Sequence, residues 1–370
     1  MKTQILKTKT LKTITLLATS TLLLAGCAEP RPDAIETPTP EPKVFVSAPL
    51  TGITLEQGAA GSETFAAPAV SCKIDNVFAA RPQFNLNKAD MVYVQMVEGG
   101  VTRLLATWQS QPVDAVGPVR SVRPMDADTI APLGGIFCYS GGQAPFVKAA
   151  TDTGVYMASE TSEQGDDKGS FSRSSAKPAP HNVIVDMGLL QSQHLDKAAP
   201  SKVLDYVAFD PETESYESAS TDAGEPTTHV TIKYPGAVSF WEGDGLGNMI
   251  REQDGDQHMD AATNEQIKAK NVVVLKVKID TSFKDGRYGF IPRTVLIDSG
   301  IAWVFVDGKR VKGTWSKTSQ TGPITLTDEA GMPIKLSAGN TWIELMPTNG
   351  SITIKSPKAE APAPTEDPAE

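Results

Sequence analysis

The stretch DMVYVQMVEGGVTRLLATWQS, residues 90–110, contains two runs of branched and aromatic residues separated by a pair of glycines. Runs of this composition that end at glycine or asparagine are typical of β-strands. The segment VSCKIDNV, residues 70–77, has the same character. The sequence therefore predicts three strands between residues 70 and 110.

Short helices are expected among these strands. The predicted helices are Asp126–Leu133, Ala144–Thr153 and Met187–His194. The first of them has acidic residues in its opening turn, where a helix favours negative charge. Residues 50–195 are therefore predicted to form a mixed α/β domain.

The later part of the chain is dominated by strand patterns. They are HVTIKYP, NVVVLKVKID, TVLIDSG, AWVFVDGKRVKGTW, PITLTD, MPIKLSAG and TWIELMP, with hairpin turn signals at Asp307-Gly308 and Asp328–Gly331. Residues 196–228 are polar and acidic without sustained periodicity, which is typical of a linker or a long surface loop. The predicted fold class is α+β with two domains, and residues 229–355 form the smaller, mostly antiparallel all-β C-terminal domain.

The N-terminus indicates secretion and a lipid anchor. Residues 1–26 carry four lysines and then the apolar run ITLLATSTLLLAG, the pattern of a secretory signal peptide that is too short to span a bilayer. Leu24-Ala25-Gly26-Cys27 resembles the bacterial lipobox, in which the cysteine receives acyl chains such as palmitate; the alternative is an ordinary signal with a chance cysteine. We expect lipidation at Cys27 and localisation on the extracytoplasmic side of the cell membrane.

Charge and composition exclude some classes of partner. Removing residues 1–26 removes four lysines and no acids, so the formal net charge falls from −10 to −14. A body this acidic is a poor general binder of nucleic acid. Residues 27–49 form a Pro-rich tether, and residues 356–370 are predicted to be a disordered tail.

Several motifs together resemble one family. They are KIDNVFAARPQFNLNKADMVYVQMVEGGVTRLLATWQS, VGPVRSVRPMDAD, YSGG and APHN, followed by HMD, KAKNVVV, DSGIAWVFVDGKRVKGTW and LSAGNTWIELMP. This pattern resembles the YerB-like bacterial lipoproteins over nearly all of residues 50–347. The resemblance implies an envelope-anchored protein with two domains. It implies no catalytic residues, because the biochemical role of the family is unassigned.

The segment GPVRSVRP, residues 117–124, places two arginines between two prolines. Arginine is the residue that holds a carboxylate or phosphate with a planar fork of two hydrogen bonds. Two alternatives remain open: the arginines brace a loop against nearby acids, or they line a pocket for an anion, with one of them in a cleft and the other paired with Asp126 or a nearby acid. The candidate ligand-binding residues are Arg103, Arg120, Arg123, Arg81, Asp75, Asn76, His181 and Asn182.

Signals for catalysis are weak. His181 follows a Pro-Ala-Pro segment and is the one candidate acid/base, with loop bracing as its alternative. The sequence shows no recognisable nucleophile motif, phosphate loop or zinc motif, so no metal and no cofactor are expected. The favoured function is a non-catalytic binding module for an anionic envelope component or another envelope protein. The alternative is a hydrolase or transferase acting on a phosphate- or carboxylate-bearing envelope substrate.

Three further patterns have ordinary structural interpretations. Asp254, Asp256, His258 and Asp260 alternate and are expected in a solvated hairpin rather than a calcium site. The tryptophans of the C-terminal domain are expected in the core or half buried. Cys72 and Cys138 fall in predicted strands; a disulfide is permitted outside the cytoplasm, but we favour reduced, buried thiols.

Overall fold

The computed structural model describes residues 42–161, 167, 169–287, 289–306 and 308–357. The predicted signal peptide, Cys27, most of the predicted tether, Asp307 and the tail beyond residue 357 lie outside these residues. Within the described part, no helix is both long enough and apolar enough to cross a membrane.

Strands predominate over helices. The helices are α1 (Asp126–Ile130), α2 (Ala144–Thr151) and α3 (Met187–Gln193). The strands are β1 (Phe45–Ser47), β2 (Thr54–Glu56), β3 (Val70–Asp75), β4 (Met91–Met96), β5 (Thr102–Trp108), β6 (Ala115–Val116), β7 (Ile136–Tyr139), β8 (Tyr156–Ser159), β9 (Phe171–Arg173), β10 (Val183–Asp186), β11 (Phe209–Asp210), β12 (Ser215–Tyr216), β13 (Glu225–Pro226), β14 (His229–Tyr234), β15 (Ala237–Gly243), β16 (Met249–Gln253), β17 (Asp256–Gln257), β18 (Lys268–Ala269), β19 (Asn271–Asp280), β20 (Lys284–Asp285), β21 (Gly289–Phe290), β22 (Arg293–Val295), β23 (Ser299–Val306), β24 (Lys309–Ser316), β25 (Thr325–Asp328), β26 (Thr341–Pro347) and β27 (Ser351–Lys355).

One large sheet organises the described residues. Its strand order is β13-β24-β23-β19-β26-β4-β5-β3-β7-β8, with β22 beside β19 and β25 beside β24. A second sheet has the order β17-β16-β15-β14-β27, with β18 beside β16. Strands β4 and β26 pair in parallel, with Met91 opposite Thr341, so the large sheet contains strands from both predicted domains.

The central strands of the large sheet are buried on both faces. In β19, Val272 and Val274 belong to one hydrophobic cluster, and Val273 and Leu275 belong to the other. Successive residues of a strand point to opposite faces, so a continuous apolar run predicts a strand that is covered on both sides. Helices α1 and α2 contribute to the cluster that contains Val273 and Leu275, while α3 and the second sheet contribute to the cluster that contains Val272 and Val274.

The three strands predicted between residues 70 and 110 are present as β3, β4 and β5, and each predicted helix is present in slightly shorter form. Strands β15, β16 and β27 were not predicted. The pattern MPIKLSAG forms isolated bridges rather than a strand. The tryptophan prediction is confirmed, because Trp241, Trp315 and Trp342 are buried and Trp303 is half buried.

Residues 196–228 pack against the body of the protein. Val203, Leu204, Tyr206 and Val207 in this segment are buried, and the Tyr206 hydroxyl donates a hydrogen bond to the backbone carbonyl of Leu50. An apolar cluster inside a mostly polar segment is enough to fix it to a core, since it removes hydrophobic surface from water. The domain boundaries proposed from sequence stay a prediction.

The expectation of reduced cysteines is wrong: Cys72 and Cys138 form a disulfide. Strands β3 and β7 are parallel neighbours, and their register places the two cysteines opposite each other with a Cα–Cα distance of 4.5 Å. This distance lies within the range that a disulfide requires. The sequence did not reveal that these two strands are neighbours, which is the fact that decides the pairing.

Candidate functional site

The segment GPVRSVRP lies against the ends of β3 and β7. The backbone N–H of Asp75 donates to Pro118 O at 2.9 Å, and that of Arg120 donates to Lys73 O at 2.8 Å. On the other side, Ser140 N donates to Arg120 O at 3.0 Å. Backbone hydrogen bonds to two strands therefore fix this loop, although its prolines prevent regular strand pairing.

Arg120 and Arg123 line a cleft of about 500 Å³. Its other lining residues come from β3, from the turn between β4 and β5, from the start of β5, and from the loops that follow β7 and precede β10. They are Asp75, Val77, Val97, Glu98, Val101, Thr102, Arg103, Ser121, Gly142, Gln143 and Pro180. The cleft thus brings together three arginines that are separated by up to 20 positions in the sequence.

Arg103 is the buried cation of the cleft. Its side chain projects from β5, the residue is only 8% exposed, and Nη1 donates to Ser121 O at 3.2 Å. Among the described residues, no carboxylate forms an ion pair with its guanidinium. The pKa of Arg103 is lowered to about 10, chiefly by burial and then by the neighbouring Arg123 and Arg120 charges, which Asp75 and Glu98 only partly offset. A negative charge in the cleft would stabilise this cation.

Arg120 and His181 share one carboxylate. Arg120 Nε lies 3.0 Å from Asp75 Oδ2, and His181 Nδ1 lies 2.7 Å from the same oxygen. Asp75 is 1% exposed, so its charge acts on both partners with little screening by water. The contact with Asp75 therefore holds the imidazole beside the cleft, with its Nδ1 atom in a hydrogen bond.

Arg123 is held by two acids. Its Nε lies 2.9 Å from Glu98 Oε2, and its backbone N–H donates to Asp126 Oδ2 at 2.7 Å. Burial opposes ionisation of Glu98, but the hydrogen bond and the charge of Arg123 outweigh it and lower the pKa of this carboxyl. For Arg123 the alternatives of bracing and lining therefore coexist: the residue lines the cleft and is also paired with a nearby acid.

The charge of the cleft follows from these pairs. Arg103, Arg120 and Arg123 contribute three positive charges, while Asp75 and Glu98 contribute two negative charges. These lining residues together carry one net positive charge. A singly charged anion would balance the cleft.

The remaining predicted site residues lie elsewhere. Arg81 Nη2 pairs with Asp254 Oδ2 at 3.0 Å, and Asn76 donates to Thr102 Oγ1 at 2.8 Å; both residues line a smaller adjoining pocket. Asn182 accepts from Arg173 Nη1 at 3.0 Å and does not line the cleft. Cys27 lies outside the described residues.

Some contributors to the site were not singled out from sequence. Gln143 lines the cleft at the start of α2, and Ser121 contributes its carbonyl to Arg103. Lys73 was also missed: it is fully buried in β3 and lies 2.7 Å from Asp126. A lysine within an apolar strand was the available signal, because such a charge is rarely buried without a partner.

Only two of the four alternating residues at positions 254, 256, 258 and 260 are exposed to solvent. Asp254 and Asp256 are exposed, as a hairpin predicts, but His258 and Asp260 are fully buried. The Asp260 carboxylate accepts the backbone N–H groups of Asn85 and Asn87 at 2.9 and 2.8 Å. The expectation of a solvated hairpin is therefore wrong for these two residues, because Asp260 satisfies the buried amide groups of a loop.

Comparison with known proteins gives consistent matches along the chain. Residues 50–204 match the family described as "Protein of unknown function (DUF3048) N-terminal domain", and residues 230–343 match its C-terminal domain. The protein named "Putative lipoprotein YerB" from Bacillus subtilis (strain 168) is 28% identical over 335 residues, which cover 88% of this chain and 92% of that one. The crystal structure of YerB from Bacillus subtilis matches with a TM-score of 0.67 at 22% identity, covering 83% of this chain and 99% of that chain, so the two share a fold.

Proposed function

The chain belongs to the DUF3048 family, with both its N-terminal and its C-terminal domain, and we propose that it is a membrane-anchored lipoprotein whose cleft binds an anionic component of the cell envelope. The observation that carries this proposal is Arg103. A guanidinium that is 8% exposed, has no ion-pair partner among the described residues and is flanked by two more arginines favours an anion from outside.

The lipid anchor is supported by sequence and by a relative. Leu24-Ala25-Gly26-Cys27 follows the apolar run of a signal peptide, and the similar Bacillus subtilis protein is named a lipoprotein. Acylation of Cys27, with palmitate among the chains, would place the folded part on the extracytoplasmic side of the cell membrane. The Pro-rich residues 27–49 would then act as a tether between the membrane and the cleft.

The finer architecture is part of the same proposal. Residues 50–195 would form the mixed α/β domain, since α1, α2 and α3 all lie there, and residues 229–355 would form the all-β domain. Both contribute strands to the large sheet, where β4 and β26 pair in parallel.

A second candidate function rests on the contact between His181 and Asp75. A carboxylate on Nδ1 orients an imidazole and leaves Nε2 available for acid/base chemistry. Within the described residues, however, the His181 ring is hydrogen-bonded to no hydroxyl or thiol that could serve as a nucleophile. We therefore favour binding over a hydrolase or transferase activity.

Calorimetric titration of the full-length protein in detergent tests the binding function. The ligands are methyl glucuronide, dimethyl phosphate and neutral methyl glucoside. We expect binding of the two anions only, and at least a tenfold loss in Arg103→Lys, which keeps the charge but loses the planar fork. The control is Arg173→Lys, because Arg173 pairs with Glu160 outside the cleft. Equal loss in both variants, or no anion binding by the wild type, would contradict the proposal. Ligand turnover that is lost in His181→Ala would favour the enzyme.

A further inference from the structure

A second pocket adjoins the arginine cleft. It has a volume of about 240 Å³ and shares Val77, Val101 and Thr102 with the cleft. Its far wall comes from the C-terminal part of the chain, from the turn between β14 and β15 and from the turn between β16 and β17. The two pockets therefore lie side by side and share a wall, and we refer to the cleft and the second pocket together as the groove.

The second pocket contains an exposed aromatic ring. Phe78 is 76% exposed, and the Arg81 guanidinium carbon lies 5.7 Å from the centroid of its ring. Arg81 is itself fixed, since Nη1 donates to Gln253 O at 2.7 Å and Nη2 pairs with Asp254. A cation on a ring restricts the ring's motion and leaves its remaining surface to solvent. Such a ring is a platform for a flat, partly apolar ligand group.

The charge of the second pocket differs from that of the cleft. Arg81 contributes one positive charge, and Asp254 and Asp256 contribute two negative charges, so the lining carries one net negative charge. A second anion next to the first would be repelled. Carboxylates are acceptors only, so they favour a ligand group that presents hydroxyl or amide donors. A neutral sugar ring has those donors and also has an apolar face for an aromatic ring.

We propose that the groove binds a sugar chain in which a singly charged group is followed by a neutral ring, with the charge at Arg103 and the neutral ring against Phe78. This inference rests on the proposed function of the cleft as an anion site. Two sources share this chemistry: a glycan with alternating uronic acids, and a polymer of neutral sugars joined by phosphodiesters. Asp254 and Asp256 disfavour a chain that carries a charge on every ring.

Titration of the full-length protein in detergent with matched oligomers tests this assignment. A tetrasaccharide of alternating glucuronate and N-acetylglucosamine supplies the charge as carboxylate, and a glucose trimer linked by phosphodiesters supplies it as phosphate. Methyl glucuronide is the monomer, a tetramer of galacturonate carries a charge on every ring, and an acidic tetrapeptide represents a protein partner. We expect at least one of the two alternating oligomers to bind about tenfold more tightly than the monomer and the galacturonate tetramer.

Phe78→Ala isolates the second pocket. We expect it to weaken binding of the alternating oligomer about fivefold to tenfold and to leave the monomer affinity unchanged, since stacking on an aromatic ring contributes at about this level. The matched control is Phe290→Ala, because Phe290 is 61% exposed and lies under Lys284 at 5.6 Å, away from the groove. Thermal unfolding verifies that both variants fold.

The outcomes separate the two proposals. Monomer binding without a Phe78-dependent gain for the alternating oligomers overturns the groove and leaves the anion site intact. A Phe78-dependent preference for the acidic peptide, or tighter binding of the galacturonate tetramer, also overturns the assignment of an alternating sugar chain. Absence of binding for every anion overturns the anion site and the groove together.

Discussion

Lys73 and Asp126 form a fully buried ion pair, with Lys73 Nζ 2.7 Å from Asp126 Oδ1, and both residues also hold the arginine loop. The Lys73 carbonyl accepts the backbone N–H of Arg120, and the Asp126 carboxylate accepts that of Arg123. Burial lowers the pKa of Lys73 to about 8, although the charge of Asp126 counteracts this effect. The backbone of Lys73 and the carboxylate of Asp126 therefore help to fix the backbone of two cleft arginines.

Removing one partner of this pair is expected to be costly. Lys73→Met leaves the Asp126 carboxylate buried without its cation, and such changes destabilise proteins by about 3–5 kcal/mol. The double variant Lys73→Met/Asp126→Asn removes the stranded charge and keeps an acceptor for Arg123 N, so we expect it to recover at least half of the loss. Urea unfolding measures the free energy of unfolding of the single and the double variant. A double variant as unstable as the single one would show that packing, not charge, dominates here.

Asp90 predicts an unusual pH dependence. Burial raises its pKa to about 6, against hydrogen bonds from Ser110 and from the backbone N–H of Gln109 that favour the ionised form. Between pH 4 and pH 6 the folded state retains a proton that the unfolded state has lost, so raising the pH favours unfolding. The contribution is about 3 kcal/mol over this window.

Asp90→Asn isolates that effect. An asparagine oxygen can accept both backbone N–H groups, and its amide can donate to Ser110, while the side chain no longer titrates. We expect the unfolding free energy of the wild type, minus that of the variant, to fall as pH rises from 4 to 6 and then to level off. Chemical denaturation at intervals of half a pH unit measures it. A flat or rising difference would contradict the raised pKa of Asp90.

The sequence predicts individual strands and helices better than it predicts which strands pair with each other in a sheet. The branched and aromatic composition of residues 70–110, with glycine or asparagine at the strand ends, identifies β3, β4 and β5, because these properties are local. The pairing of β4 with β26, over 240 residues away in sequence, depends on the whole sheet and has no local signal. The disulfide was missed for the same reason: only the parallel pairing of β3 with β7 shows that Cys72 faces Cys138.

Some of the residues that line the cleft were selected from the sequence, and others were not. Arg103, Arg120, Arg123 and Asp75 were selected by residue type and by their places near strand ends and turns, and they meet in one cleft. Asn182 was selected because it follows His181 in sequence, yet it bonds to Arg173. Adjacent positions on a loop point in different directions, so adjacency in sequence does not place two side chains in one pocket.

The disulfide is expected to stabilise the fold. It closes a loop with a sequence separation of 66, and constraining the unfolded chain in this way contributes about 2–4 kcal/mol. We therefore expect reductant to lower the urea midpoint of the wild type. Cys72→Ala/Cys138→Ala is the control and should not respond to reductant. Alkylation under denaturing, non-reducing conditions should leave both cysteines unlabelled; labelling of both would contradict the bond.

Cys27 is expected to determine membrane attachment. Acyl chains on this residue would anchor the protein, and Cys27→Ser removes the acceptor of those chains. We expect the variant to move from the membrane fraction to the soluble extracytoplasmic fraction in cell fractionation. Ser47→Ala is a control at a position in β1 that takes no part in lipidation. Continued membrane retention of Cys27→Ser at wild-type levels would contradict the anchor.

Under the proposed function, the net charge of the cleft should determine which anions it prefers, and Glu98 is the residue that tests this most directly. Glutamine at this position keeps the shape of the side chain and an oxygen near Arg123, but it raises the cleft charge from one to two. We expect Glu98→Gln to strengthen binding of a doubly charged phosphate monoester about fivefold to tenfold. Methyl glucuronide carries half that charge, so we expect its binding to strengthen only about twofold to threefold. Both gains should shrink as salt increases, because the effect is electrostatic.

Glu160→Gln is the matched control for this experiment. The side chains of Glu160 and Glu98 are both 18% exposed, and each pairs with one arginine, but Glu160 pairs with Arg173 outside the cleft. Since Glu160 does not line the cleft and its charge is paired with Arg173, Glu160→Gln should change neither affinity by more than about twofold. Equal gains in the two variants would mean that net protein charge, rather than the balance of Arg103, Arg120 and Arg123 against Asp75 and Glu98, controls anion binding.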